Sequence, residues 1–234
     1  MSHLNDPDVV RRQYATDENL RKRQALYDET TGPDAKDVLW DAIVSVRPRR
    51  VLEVGGGQGW LSERIQNELG ADVTMLDQSD HMVELARARG VHAIAGDVQR
   101  LPFDDASFDT AIAAWMLYHV EDLDRGLSEL ARVLSPAGRL VCNANSVEHL
   151  KELRDLIGYP RNSEGFNAEN AESLLAPYFS HVERLGGMGA VTVRDRQKLV
   201  DYRDSLSVPT APVPEDVELP FVITIGGSVF VAAK

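Results

Sequence analysis

The chain has 234 residues, 43% of them hydrophobic and 26% charged, with 37 acidic against 25 basic side chains and a formal net charge of −12. These proportions suit a folded α/β domain with a large core, or a domain with a small cap, and exclude wholesale disorder. The acidic balance disfavours nucleic acid as a partner, because phosphate binding needs a basic surface to release counterions.

The basic clusters Arg11-Arg12, Arg21-Lys22-Arg23 and Arg47-Pro48-Arg49-Arg50 are short and lie near acids, so they read as solvated faces. No apolar run approaches the roughly 20 residues needed to span a bilayer, and no membrane partner is expected. The segment Met1 to Asp8 lacks a basic stretch followed by an apolar one, so it does not read as a secretory signal. The single cysteine, Cys142, sits in the apolar run Leu140-Val141-Cys142 and reads as an inert buried thiol. Together these features point to the cytoplasm.

In chain order, residues 1 to 45 read as helices ahead of a sheet, with Leu20, Gln24 and Tyr27 on one helical stripe. Arg50 to Val54 is the first strand. It ends in Glu53 and then in three glycines at alternate positions, Gly55, Gly57 and Gly59, before a helical pattern from Trp60 to Leu69. Ala71 to Asp77 is the second strand, followed by a helix for which Ser79 is a good N-cap. Val91 to Ala95 and Phe108 to Ala114 are the third and fourth strands. Leu123, Leu127, Leu130 and Leu134 recur at helical spacing, Ser135 to Gly138 breaks that helix, and Arg139 to Asn143 is the fifth strand. Strands alternating with helices predict a parallel sheet covered on both faces.

The remainder is less regular. Ala168 to Leu175 reads as a helix, Val182 to Leu185 as a strand and Arg194 to Leu206 as a second helix, with a proline-rich surface loop from Ser207 to Pro214. Phe221 to Ile225 and Ser228 to Ala233, divided by Gly226-Gly227, predict an antiparallel hairpin closing one edge of the sheet. Nothing marks a second domain of ordinary size.

A strand feeding a glycine turn and then a helix lets a ligand approach bare backbone at the carboxyl edge of a parallel sheet. The turn is not the dinucleotide fingerprint, because Trp60 stands where its third glycine would be, and this argues against a nicotinamide-dependent oxidoreductase. Asp77 closes the second strand, where a carboxylate can accept both hydroxyls of a ribose or serve as a helix N-terminal acid. Asp97 follows the third strand at the same edge, where it suits an exocyclic amine or a turn. No cysteine or histidine spacing fits a metal site.

Four ordered blocks carry a family resemblance: Val51 to Gly59, Val73 to Asp77, Gly96 to Asp109 and Leu130 to Leu140. In these blocks, spanning about residues 49 to 143, the chain resembles class I S-adenosylmethionine-dependent methyltransferases, in particular the broad bacterial small-molecule type. The resemblance implies a Rossmann-like, doubly wound, mostly parallel seven-stranded sheet with the C-terminal hairpin at its antiparallel edge. It also implies a single domain divided into an N-terminal helical lid (1–45), a cofactor-binding core (46–144), substrate-pocket insertions (145–220) and closing strands (221–234).

Carried onto this sequence, the family assigns Glu53 and the backbone of Gly55 and Gly57 to the methionyl part of S-adenosylmethionine. Asp77 takes the ribose hydroxyls, with Gln78 and Met82 beside the adenine. Asp97 and the Val98 backbone read the adenine amine and ring edge, and Ala114 and Trp115 flank the sulfonium end. Gly56 stands where the family more often has Asp or Cys. The donor would leave as S-adenosylhomocysteine after in-line displacement, in which alignment supplies much of the acceleration.

His119 is the candidate base where an acceptor must lose a proton, against its reading as a structural histidine capping the next helix. Tyr118 is a candidate pocket wall or catalytic neighbour. Tyr14 and Arg23, in the N-terminal segment, are candidate cofactor contacts, with a surface ion pair as the alternative reading of Arg23. The expected activity is methylation of an oxygen or nitrogen of a small metabolite by a monomer or homodimer. The alternatives are methylation of RNA and a catalytically silent cofactor-binding scaffold.

Overall fold

The computed structural model describes residues 18–32, 34–160, 165–206 and 208–234. The first helix, α1 (Glu18–Ala25), and the two-residue strand β1 (Thr30–Thr31) precede α2 (Ala35–Ser45), which Asp34 caps by accepting from the Lys36 amide. The central repeat follows as β2 (Arg50–Val54), α3 (Trp60–Leu69), β3 (Asp72–Asp77), α4 (Asp80–Ala88) and β4 (His92–Ala95). Then come β5 (Phe108–Ala113), α5 (Leu123–Val133) and β6 (Leu134–Asn145). The last third holds α6 (Lys151–Ile157), α7 (Ala171–Leu175), β7 (His181–Leu185), β8 (Met188–Val193), α8 (Arg196–Asp204) and β9 (Phe221–Ala233).

Strands β2 to β6 are parallel and lie in the order β4-β3-β2-β5-β6. This is the doubly wound, Rossmann-like arrangement expected from the alternation, with its crossing point between β2 and β5. Val51, Leu52 and Val54 are fully buried, as befits a central strand covered on both faces. One core layer joins Leu52, Val54, Ala111, Leu127, Leu130 and Phe230; the other joins Leu39, Ile43, Val51, Ile65, Val73 and Ile112. The Cys142 thiol is wholly buried in the first of these layers, and burial pushes its pKa up. No helix among the described residues is long and apolar enough to cross a membrane.

The predicted C-terminal hairpin is corrected by the structure. Residues Phe221–Ala233 form one continuous 13-residue strand that lies inside the sheet, antiparallel to β6 on one side. On its other side β7 and then β8 pair with it in one continuous register, interrupted only at Gly186-Gly187. The physical reason lies at Gly226 and Gly227, which do not adopt the positive φ of a tight hairpin turn. They are small because the chain is crowded there: a Cβ on Gly226 would meet Met188 Sδ at 2.2 Å, and one on Gly227 the Ala144 carbonyl at 2.8 Å. Instead of the seven strands expected, the sheet has nine: β4-β3-β2-β5-β6-β9 in order, then β7 and β8 along the other side of β9, and β1 beyond β8.

A third apolar cluster ties the variable parts together. Leu26 from the N-terminal segment packs with Leu150, Leu153 and Ile157 around α6, with Val191 of β8 and with Leu199 of α8. The N-terminal segment and the segments after β6 therefore form one wall over the carboxyl edge of the sheet.

Candidate functional site

The site is built on the turn between β2 and α3. Gly55, Gly57 and Gly59 all have positive φ (66°, 56° and 79°), a conformation that glycine adopts without steric cost. The Gly55 amide donates to the Leu76 carbonyl at 2.7 Å, which fastens the turn to β3. A Cβ on Gly59 would meet the Ala86 Cβ at 2.8 Å, so this glycine lets α3 and α4 approach. A Cβ on Gly57 would meet no atom within 4 Å. The space there is the cavity itself, a cleft of about 660 Å³ at the carboxyl edge of the sheet.

Two buried carboxyls lie beneath this turn. The Asp77 side chain is 9% exposed, accepting the Gly57 amide on Oδ2 and the Ser79 amide on Oδ1, each at 2.9 Å. Burial raises its pKa, while the amides of Ser79, Gly57 and Gln78 oppose that rise. Glu53 is 2% exposed and accepts a short hydrogen bond from the Ser62 hydroxyl. Burial pushes its pKa up to about 7, against the lowering effect of the Ser62 bond.

The residues singled out from sequence converge on this cavity. Glu53, Gly55, Gly57, Asp77, Gln78 and Met82 line it from the β2 and β3 side. Asp97, Val98, Ala114, Trp115, Tyr118 and His119 line it from the loops after β4 and β5, and Arg23 lines it from α1. Tyr14 lies outside the described residues. Asp97 is exposed and accepts the Gln99 backbone amide at 2.9 Å, with the Gln99 side-chain amide at 3.0 Å. Arg23 donates to the Asn19 carbonyl at 3.3 Å.

His119 ends a single 3₁₀ turn, Leu117–His119, with its ring tilted against that of Tyr118 at 4.4 Å between centroids. The alternative of His119 as a helix cap is corrected by the structure. Helix α5 is capped by Asp122, whose carboxylate accepts from the Arg125 amide at 3.1 Å. Two residues, Val120 and Glu121, separate His119 from that cap, and an acid fits the positive end of the helix better than an imidazole does.

Other contributors were not singled out from sequence. Asn143, 3% exposed at the end of β6, accepts the Trp115 amide at 2.7 Å and holds Trp115 at φ 52°, an uncommon conformation for a bulky residue. A buried asparagine ending an apolar strand was the available signal. Tyr27, Tyr159, Phe166 and Tyr202 line the opposite wall with His149. Tyr27 carries only a helical-stripe signal and Tyr202 lies in an expected helix, neither of which marks a site. Only the third dimension brings them together with Tyr159, Phe166 and His149. Among the described residues, no group of three or more His, Cys, Asp or Glu side chains is placed to hold a metal ion.

Comparison with known proteins bears on the same core. Residues 52–142 match the family model described as a methyltransferase domain. An O-methyltransferase of Aspergillus nomiae, rstn1, is 36% identical over 110 residues, which cover 44% of this chain and 49% of that protein. The malonyl-[acyl-carrier protein] O-methyltransferase of Erwinia billingiae is 38% identical over 109 residues, 45% of this chain and 42% of that one. The chain therefore spans less than half the length of these curated relatives. Among solved structures, a phosphoethanolamine N-methyltransferase of Haemonchus contortus, in complex with phosphomonomethylethanolamine and S-adenosylhomocysteine, superposes with a TM-score of 0.65 at 17% identity. That superposition covers all of this chain and 60% of the other, and it speaks for the fold. The core from β2 to β6 thus matches a methyltransferase domain, and these relatives and the shared fold support the class I S-adenosylmethionine-dependent type.

Proposed function

We propose that this methyltransferase domain moves a methyl group from S-adenosylmethionine to an oxygen or nitrogen of a small metabolite by in-line displacement, leaving S-adenosylhomocysteine. The observation that carries the reading is Asp77, a buried carboxylate clamped by the Gly57 and Ser79 amides on the floor of the cavity. A neutral side chain there would accept the two hydroxyls of a ribose less well. The open space above Gly57 leaves room for the ligand against bare backbone, so the residues present fit the group.

When bound, the sulfonium supplies an activated methyl carbon, and the protein's task is alignment. Glu53 sets a carboxyl beneath the glycine turn, suited to the methionyl ammonium together with the backbone of Gly55 and Gly57. Asp77 holds the ribose, Gln78 and Met82 flank the adenine, and Asp97 with the Val98 backbone reads its edge. Trp115, fixed by Asn143, and Ala114 border the reacting end. Tyr118 and His119 lie beside them, His119 as the base where the acceptor must lose a proton. We assign the lid to residues 1–45, the cofactor-binding core to 46–144, the acceptor wall to 145–220 and the closing strand to 221–234.

Calorimetric titration with S-adenosylhomocysteine, run beside NAD, tests the reading. Binding of the former and silence from the latter is the expected result, and no response to S-adenosylhomocysteine overturns it. A small acceptor is favoured over RNA by the formal charge of −12. Firm retention on heparin at low salt would count against that choice.

A further inference from the structure

Opposite the glycine turn, the cavity wall contains a hydrogen-bonded pair that none of the assigned roles uses. The Tyr27 ring stacks on the His149 ring, with centroids 6.0 Å apart and 15° between planes. Tyr27 Oη lies 3.0 Å from His149 Nε2. On the other side of the imidazole, the Gly226 amide donates to Nδ1 at 3.2 Å. Both side chains line the cavity.

These contacts fix which atoms carry hydrogen. Burial pushes the His149 pKa down to about 4, and the nearby Arg154 charge adds to that, so the ring is neutral. A neutral imidazole has one N–H. Nδ1 is already accepting from Gly226, so the hydrogen sits on Nε2 and is donated to Tyr27 Oη. The tyrosine oxygen is then an acceptor toward His149, and its own hydrogen is directed elsewhere. Among the described residues, His149 is the only hydrogen-bond partner of this hydroxyl. Burial, with Tyr202 and Tyr118 near, raises the Tyr27 pKa well above its ordinary value, so the phenol keeps its proton and is not a base.

We propose that Tyr27, oriented by His149, is the hydrogen-bond donor that seats the methyl acceptor, which therefore presents an oxygen lone pair, as a carboxylate, phenolate or hydroxyl does. This rests on the methyl-transfer reading and narrows it. A protonated amine has no lone pair to offer, and a neutral amine whose single lone pair accepted from Tyr27 would have none left to attack the methyl carbon. An oxygen keeps a second lone pair for the attack, which is a built-in discrimination. The surrounding rings of Tyr118, Tyr159, Phe166 and Tyr202 favour a flat, apolar body on that acceptor.

The test compares the wild type with Tyr27→Phe, His149→Gln and His149→Phe. S-Adenosylhomocysteine titration comes first, and its dissociation constant should be the same in wild type and Tyr27→Phe. Formation of S-adenosylhomocysteine from S-adenosylmethionine is then followed with benzoate and catechol as oxygen probes and with benzylamine and 1,2-diaminobenzene as nitrogen probes. Turnover of an oxygen probe is expected, with its KM raised at least about tenfold in Tyr27→Phe, the scale of one lost hydrogen bond. His149→Gln, which keeps an N–H near the Nε2 position, should retain a KM close to wild type, and His149→Phe should follow Tyr27→Phe.

Transfer confined to the nitrogen probes, no transfer to either oxygen probe while S-adenosylhomocysteine still binds, or an unchanged KM in Tyr27→Phe each overturns the proposal. Loss of S-adenosylhomocysteine binding by the wild type would instead sink the underlying methyl-transfer reading. Nitrogen-15 spectra of His149 give a check independent of turnover: the hydrogen on Nε2 supports the donor role, and a hydrogen on Nδ1 removes it.

Discussion

The Gly57 amide donates to the Asp77 carboxylate at 2.9 Å, so the glycine turn after β2 and the end of β3 are one hydrogen-bonded unit. The residue read as the ribose partner is also the residue that holds the turn in shape. Two effects follow from one side chain, and they can be separated by substitution.

Asp77→Ala should weaken S-adenosylhomocysteine binding by about 1–3 kcal/mol, the range for hydrogen bonds to a charged group. It should also lower the thermal midpoint of the ligand-free protein, since the half-buried Gly57 and Ser79 amides lose their acceptor. Asp77→Asn keeps an acceptor oxygen for one amide and should recover part of the stability but little of the affinity. Calorimetry together with thermal unfolding distinguishes the two. Unchanged affinity in Asp77→Ala would place the ribose elsewhere.

The last two of the turn's three positive-φ glycines, Gly57 and Gly59, predict different phenotypes. Gly59→Ala puts a methyl 2.8 Å from the Ala86 Cβ at φ 79°, and should cost about 2–4 kcal/mol in unfolding free energy from overpacking and backbone strain. Gly57→Ala meets no atom within 4 Å, so only the strain of φ 56° remains, about 1–2 kcal/mol. Its methyl fills space assigned to the ligand, so S-adenosylhomocysteine binding should fall in a protein that still folds. Denaturant unfolding and ligand titration of both variants give the contrast, and equal stabilities would contradict it.

The turn and its carboxylates were legible because their constraints are local. A glycine needed for positive φ, an acid at a strand end and a serine at a helix start each leave a one-residue trace. Ser79 caps α4 through the Met82 amide as its position suggests. The wall opposite was not legible, because Tyr27, His149 and Gly226 are far apart in the chain and share no period. The C-terminal strand shows the same limit. Gly226-Gly227 reads as a turn by composition, but the glycines answer to the Met188 side chain and the Ala144 carbonyl, which only the sheet brings near.

Asn143 predicts a link between the sheet and the reacting end. Its side chain is the acceptor for the Trp115 amide at 2.7 Å, inside the core. Asn143→Ala leaves that amide without an acceptor, at a cost of about 1–3 kcal/mol, and releases Trp115 from its left-handed conformation. Trp115 fluorescence should shift toward that of an exposed indole, read against a Trp115→Phe background. Asn143→Asp keeps an acceptor and should hold the spectrum. A spectrum unmoved in Asn143→Ala would mean that neighbouring packing alone fixes Trp115.

Glu53 carries the pH dependence. Its pKa rises from an ordinary 4.5 to about 7 in the folded chain, chiefly through burial. Between those values the native protein holds a proton that the unfolded chain has released, so stability falls as pH rises through the window and levels off above it. At about 1.4 kcal/mol per unit, the full span is on the order of 3 kcal/mol. Glu53→Gln removes this one contribution, so the difference in unfolding free energy between variant and wild type should move in the variant's favour from pH 5 to pH 8. Ligand binding has the opposite slope. An ammonium beside Glu53 favours the ionised form, so S-adenosylhomocysteine should bind more tightly as pH rises toward 8 and release a proton on binding at pH 6.5. Calorimetry in two buffers of different ionisation enthalpy measures that proton directly. Its absence in the wild type, or its persistence in Glu53→Gln, would remove Glu53 from the methionyl end of the site.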